Sequence, residues 1–266
     1  MTRAFGLIVV GDEILSGKRA DKHMAKVIEL LAARGLQLSW AEYVGDEPAR
    51  ITAALARAFA SGDIVFSTGG IGATPDDHTR QCAAKALGVP LALHPEAELL
   101  IRERMQDTAR EQGVPYEPDR SDNVHRLNMG LFPEGAEIIP NPYNKIPGFS
   151  VHDVHFVPGF PVMAHPMIEW LLDTRYAKLH GLHARAERSV IVMGSMEATL
   201  TPLMQEIEAR FPGVKVFSLP SVDHPQWGRH IELGVKGESA AAQAAFTAMK
   251  NGLATLGATL GPELVR

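Results

Sequence analysis

The sequence predicts an α/β protein: a mostly parallel sheet flanked by helices, followed by a small α+β domain. Three observations carry that expectation. Short apolar runs rich in β-branched residues alternate with amphipathic helical stretches from Phe5 to Thr68, the rhythm of a parallel sheet covered by helices. A glycine-bearing acidic loop follows each of the first three of these runs. A polar stretch over 173–187, rich in His and Arg, separates them from a second set of elements. At ~150 residues per domain, the 266 residues suggest two domains. They are expected over 1–175 and 186–266.

The elements follow in order. Phe5-Gly6-Leu7-Ile8-Val9-Val10 reads as a buried strand. Met24, Val27, Ile28 and Leu31 mark one face of a helix over 21–34, with Asp21 as N-cap and Gly35 as stop. Leu36 to Trp40 reads as the second strand. Asp46-Glu47-Pro48 opens a helix with Ile51, Leu55 and Phe59 inward, ending before Gly62. Asp63 to Thr68 is the third strand, and a helix with Leu99, Leu100 and Met105 is expected over 96–112. Prolines at 115, 118, 133, 140, 142, 147, 158 and 161 make 115–161 mostly strands and loops, ending in a core strand over 154–157 and a helix over 162–172. The second domain reads as strand 188–193, helix 199–210, strands 214–218 and 229–235, and helix 238–256.

Composition narrows the function. The chain is 45% hydrophobic and 21% charged, with a formal net charge of −5. That is ordinary globular protein without a basic face for nucleic acid. No apolar run is long enough to span a membrane. Cys82 is the single cysteine, which excludes an internal disulfide. With no signal peptide before the first strand, a cytoplasmic location is expected.

The sharpest segment is Thr68-Gly69-Gly70-Ile71-Gly72-Ala73-Thr74-Pro75-Asp76-Asp77-His78-Thr79. Glycines at the end of a strand let backbone approach a ligand, and a helix starting at Thr74 and Pro75 would present free N–H groups to phosphate. It is neither a Walker loop nor a dinucleotide fingerprint. Thr74 and Asp77 also have the spacing of a capping box, so Asp76 and Asp77 taken alone read as caps, while glycines, a helix start and two carboxylates together suit a metal-bridged phosphate. Gly11-Asp12-Glu13 follows the first strand and Gly45-Asp46-Glu47 the second; each on its own reads as a turn or a cap. Three such loops converge on the carboxyl edge of the sheet, where open α/β sheets bind ligands. Asn141-Pro142 with Pro147-Gly148, and Pro158-Gly159-Phe160-Pro161, would shape the same pocket. His78, His125, His152, His155 and His165 lack metal-ligand spacing, and His152 and His155 read as strand side chains on opposite faces. Cys82 reads as a small core residue.

These stretches resemble the MoaB/Mog molybdopterin-binding family, in particular the amino-terminal domain of CinA-type proteins, over residues 4–172. The resemblance rests on Gly11 to Gly17, Val44-Gly45-Asp46, Thr68 to Thr79, Asn141-Pro142, Pro147-Gly148-Phe149 and Pro158 to Pro161, and more loosely on Gly194 to Glu197. Many relatives carry Gly-Thr-Ala where Asn144-Lys145-Ile146 stands, and Gln-Ala in place of Met129-Gly130. The resemblance implies catalytic roles for Asp46 and Asp77. It implies a divalent cation of the Mg, Mn or Co class on Asp76, Asp77 and Glu13. Gly11, Glu13, Thr68, Gly69, Gly70, Gly72, Thr74, Asn141, Pro147 and Gly148 would contact a small phosphorylated ligand. The activity implied is hydrolysis of ADP-ribose or a related nucleotide pyrophosphate. The alternatives are molybdopterin binding or adenylation in cofactor biosynthesis, or a non-catalytic pterin- or nucleotide-binding module. No nucleic-acid or membrane partner is expected. A homo-oligomer is, and with the chain stopping at Arg266 no nicotinamide-nucleotide amidase activity is.

Overall fold

A computed structural model of the chain describes residues 3–181 and 185–265. The expected linker over 173–187 falls partly outside them. The chain divides into two compact units, Met1–His180 and Gly181–Arg266.

The first unit runs β1 (Phe5–Val10), α1 (Asp12–Leu15), α2 (His23–Ala32), β2 (Leu38–Val44), α3 (Pro48–Ser61), β3 (Ile64–Thr68), α4 (Thr79–Leu87), β4 (Leu91–Leu93), α5 (Pro95–Gln112), α6 (Ser121–Leu127), β5 (Leu131–Pro133), β6 (Glu137–Ile139), β7 (Gly148–Val151), β8 (Val154–Val157) and α7 (Pro161–Thr174). The main sheet has the order β2-β1-β3-β8-β7-β6. β2, β1, β3 and β8 are parallel; β7 runs antiparallel to β8, and the edge strand β6 antiparallel to β7, so that only β7 is reversed. β4 and β5 form a separate antiparallel pair.

Both faces of this sheet are covered, which is why β1 and β3 read as unbroken apolar runs rather than as alternation. Strand period splits β1 cleanly. Ile8 and Val10 join Ile51, Leu55, Val65, Phe149 and Phe156 on one face. Leu7 and Val9 join Val27, Leu31, Ile64, Phe66, Ile168 and Leu171 on the other. Phe149 stacks on Phe132 and Phe156 at centroid distances of 4.6 and 4.4 Å. Cys82 is buried on α4.

Several expectations are corrected. α2 turns His23, Val27, Leu30 and Leu31 inward, while Met24 and Ile28 are exposed; the apolar stripe is rotated because a histidine takes a core position. Asp21 caps as expected, accepting from the N–H groups of His23 and Met24. On α5 the buried residues are Ala97, Ile101 and Met105, and Leu99 faces solvent. α6 lies inside the proline-rich segment, in the gap between Pro118 and Pro133. His152 sits in the β7–β8 turn with φ 53°, not in a strand.

The second unit contains β9 (Arg185–Met193), α8 (Glu197–Arg210), β10 (Lys215–His224), β11 (Gly228–Glu238), α9 (Ser239–Thr255) and β12 (Thr259–Val265). Its sheet is antiparallel with the order β10-β11-β9-β12. Val190, Val192, Leu233 and Val235 pack on Leu200, Ile207, Phe246, Met249 and Leu253 of α8 and α9. β12 is an addition to the expected order. Its alternation of Leu260, Pro262 and Leu264 with Thr259, Gly261 and Glu263 is weak, and pairing with β9 supplies the order its side chains lack.

Candidate functional site

The loops after β1, β2, β3 and β8 meet at the carboxyl edge of the parallel sheet. They enclose a cleft of about 400 Å³, within the range of small-ligand pockets. Glu13, Asp46, Asp76 and Asp77 all line it, with Gly11, Gly69, Gly70, Gly72 and Thr74. Asn141, Asn144, Ile146 and Pro147 face them with Met129, Phe160 and Met163. One wall is therefore acidic and rich in backbone, the other amide-bearing and apolar.

The glycine loop departs from expectation. The helix after it begins at Thr79, not at Thr74, and residues 69–78 are an irregular loop. Gly69 and Gly70 take φ 94° and 69°, backbone that disfavours side chains. A Cβ at Gly69 would run into the Val10 carbonyl, and one at Gly70 into the Thr79 hydroxyl. The Thr79 hydroxyl donates to the Gly69 carbonyl at 3.1 Å and its N–H to the Gly70 carbonyl at 2.9 Å. The N–H groups of Gly70, Ile71, Gly72 and Ala73 have no hydrogen-bond partner among the described residues. Four consecutive N–H groups at a cleft wall are thus left without such a partner, the condition under which successive backbone donors can take an anion.

Asp77 braces this loop. Its Oδ2 accepts from the Thr74 N–H at 2.8 Å and the Thr74 hydroxyl at 2.5 Å. The capping-box spacing thus closes a turn instead of opening a helix. Arg80, which sequence reasoning missed, is buried on the first turn of α4. Its guanidinium donates to the Ile71 carbonyl, and to the Gly72 carbonyl at 2.7 Å. Burial lowers its pKa while Asp77 opposes that shift. A buried arginine spent on two carbonyls fixes the backbone of the loop at Ile71 and Gly72.

Asp46 does not cap α3, whose N-cap is Glu47. It pairs with Asp12: the Asp12 N–H donates to Asp46 Oδ2 at 2.9 Å, and the Asp46 N–H donates to Asp12 Oδ1 at 3.2 Å. Burial above all raises the Asp46 pKa, with the charges of Asp12, Glu13 and Asp76 adding to it against the Asp12 N–H. Asp12, which the Gly11-Asp12-Glu13 motif contains but to which it assigned no role, thereby becomes a positioning residue.

Two predicted members stand outside the cleft. Thr68 is buried at the end of β3, its hydroxyl without a partner. Gly148 is buried in β7, where a Cβ would collide with the Phe156 carbonyl. Both positions serve the sheet that carries the cleft. Asn141 lines the cleft yet spends its side chain on its own loop. Its Nδ2 donates to Asn144 Oδ1 at 2.8 Å and the Ile146 carbonyl at 2.9 Å, and its Oδ1 accepts from the Tyr143 N–H. His23, another residue sequence reasoning missed, fixes the last loop through a 3.0 Å contact from Nε2 to the Gly159 carbonyl. Arg19, also unanticipated, brings the cleft a cation.

The donors suit a hard cation, since all are carboxylate oxygens. Among the described residues, however, no three His, Cys, Asp or Glu side chains come together as a metal-holding group. Glu13, Asp76 and Asp77 line the cleft without forming a protein cage, so a cation there would need water and ligand oxygens for most of its coordination.

Fold and cleft define an α/β domain with a ligand-sized cleft at the carboxyl edge of its parallel sheet. A family profile described as "Probable molybdopterin binding domain" matches residues 6–178, and the chain belongs to this family, in its MoaB/Mog and CinA-like form. A protein of Pyrobaculum calidifontis is 32% identical over 236 residues, 85% of each chain. A CinA-like protein of Anaeromyxobacter dehalogenans is 31% identical over 90% of this chain and 56% of its own. The chain thus spans little more than half of that relative. The crystal structure of CinA from Thermoplasma acidophilum is 27% identical, with a TM-score of 0.53, and covers 65% of this chain and 97% of its own. No helix among the described residues is long and apolar enough to cross a membrane.

Proposed function

We propose that the cleft binds a nucleotide pyrophosphate and hydrolyses it with a divalent cation, ADP-ribose being the representative substrate. One observation carries this: four free backbone N–H groups and four carboxylates share a single cleft with an apolar, amide-bearing wall. The N–H groups of Gly70 to Ala73 would take phosphate oxygens, and the facing wall the ring of the nucleoside. A cation held by Asp77 and its neighbour Asp76, and completed by water and phosphate oxygens, would neutralise phosphate charge and acidify water. Asp46 is the group suited to accept the proton of the attacking water, because Asp12 holds its Oδ2 and its raised pKa makes it the stronger base. Water adds to one phosphorus, the bridging oxygen leaves, and ADP-ribose becomes AMP and ribose 5-phosphate.

The test is incubation with ADP-ribose, FAD, NAD and dinucleoside polyphosphates, each with Mg²⁺, Mn²⁺ or Co²⁺. Cation-dependent release of AMP from ADP-ribose is expected. ATP-dependent adenylation of molybdopterin in place of hydrolysis would overturn the proposal in favour of cofactor biosynthesis. Thermal stabilisation by these ligands without turnover would reduce the domain to a binding module.

A further inference from the structure

Lys145 stands out in the first unit as a non-glycine residue in the left-handed region, at φ 65°. That conformation is strained for a lysine, so its surroundings must hold it there. They do so from two sides. The Lys145 N–H donates to the Asn141 carbonyl at 3.0 Å, closing the loop. Its ammonium reaches across to α5 and bonds Glu103 and Asp107, the latter at 2.7 Å. Glu103 and Asp107 are four residues apart and so share one helix face.

The residues on either side of Lys145 are cleft residues. Asn144 and Ile146 both line the apolar wall. Asn144 Oδ1 accepts from Asn141 Nδ2 and from the Ile146 N–H at 3.1 Å, and its Nδ2 makes only a long 3.7 Å contact to Met163 sulfur. An amide nitrogen carries two hydrogens. Asn144 therefore keeps a donor for a ligand, at a position set by its neighbour's backbone.

We propose that Lys145 is a specificity-determining positioning residue: its clasp on α5 holds the 141–147 loop so that Asn144 and Ile146 meet the ring end of the ligand. Lys145 itself lines no part of the cleft. The ring-recognition part rests on the nucleotide reading above; the clasp does not. The side chain selects among ligands that share a pyrophosphate and differ in what it carries.

Lys145→Met removes the ammonium and keeps the stem, and Lys145→Arg restores the charge. Two measurements on the whole chain decide the matter. Amide hydrogen exchange of residues 141–147, without ligand, should rise in Lys145→Met and return toward wild type in Lys145→Arg. Calorimetric binding with Mn²⁺ should show the non-hydrolysable α,β-methylene analogue of ADP-ribose weakened about tenfold, the scale of one mispositioned hydrogen bond, while methylenediphosphonate, the matching pyrophosphate analogue without a ring, stays within about twofold. Unchanged loop exchange overturns the clasp. A loosened loop with equal loss for both probes, or none for either, overturns the specificity role. Wild-type protein that binds neither probe removes the nucleotide reading and the ring recognition with it, leaving the exchange result to judge the clasp.

Discussion

Asp77 carries two jobs that separate on substitution. Its Oδ2 braces the Thr74 turn, a task asparagine performs nearly as well through Oδ1. Asp77→Asn should therefore cost at most about 1 kcal/mol of stability. If the same carboxylate holds the cation, cation-dependent turnover should fall by orders of magnitude at saturating metal. Turnover above half of wild type would return Asp77 to a purely structural role. Arg80 is the opposite case, since it touches no ligand-facing space and yet shapes it. Arg80→Met strands the Ile71 and Gly72 carbonyls, at about 1–3 kcal/mol for each that stays buried. The melting temperature should drop, and methylenediphosphonate binding should weaken along with that of the ADP-ribose analogue. That joint loss distinguishes it from Lys145→Met.

Elements with strong periodicity were legible from the sequence, and loops were legible as loci rather than as shapes. β1, β3 and β8 are read directly from short apolar runs because both sheet faces are buried. The helix after the glycines is misplaced by five residues, from Thr74 to Thr79, because a capping-box spacing closes an isolated turn as well as it opens a helix. The convergence of Glu13, Asp46, Asp76 and Asp77 follows from strand order alone. The parts that escape are those made by long-range partners: Arg80 on two carbonyls, Asp12 on Asp46, Lys145 on α5. Gly148 shows the converse. A Pro-Gly pair reads as a pocket turn, but the glycine is demanded by sheet packing: a Cβ would overlap the Phe156 carbonyl and lie 2.8 Å from Met167 Cε. Gly148→Ala should cost about 1–3 kcal/mol by overpacking and leave affinity for the ADP-ribose analogue unchanged in the protein that remains folded. A selective loss of affinity at unchanged melting temperature would restore Gly148 to the ligand site.

At the scale of the first unit as a whole, stability should depend on pH through a buried histidine far from the cleft chemistry. His155 on β8 is fully buried. Its Nδ1 meets the Ser150 hydroxyl at 2.8 Å and its Nε2 the Tyr176 hydroxyl at 2.6 Å. Tyr176 donates onward to Asp153 at 2.8 Å, and Asp153 pairs with Arg3. This chain ties β7, β8, the segment after α7 and the start of the chain into one network. Burial, with the Arg175 charge adding to it, lowers the His155 pKa from 6.5 to about 3. The folded state thus holds the ring neutral, while the unfolded chain takes up a proton as pH falls below 6.5. The stabilisation is full above the unfolded value and is lost as pH falls from about 6.5 toward 3. The slope contributed approaches about 1.4 kcal/mol per pH unit inside that window. His155→Gln removes the titration while keeping hydrogen-bonding groups beside Ser150 and Tyr176. It should lower stability at pH 7.5, where the wild-type network is complete, and flatten the fall between pH 6 and 4. Carboxylates such as Asp153 and Asp173, held below their ordinary range, destabilise wild type and variant alike as acid is added. The difference between the two denaturation curves therefore isolates the histidine, and parallel curves across that window would show that the ring takes up its proton equally in the folded and unfolded states.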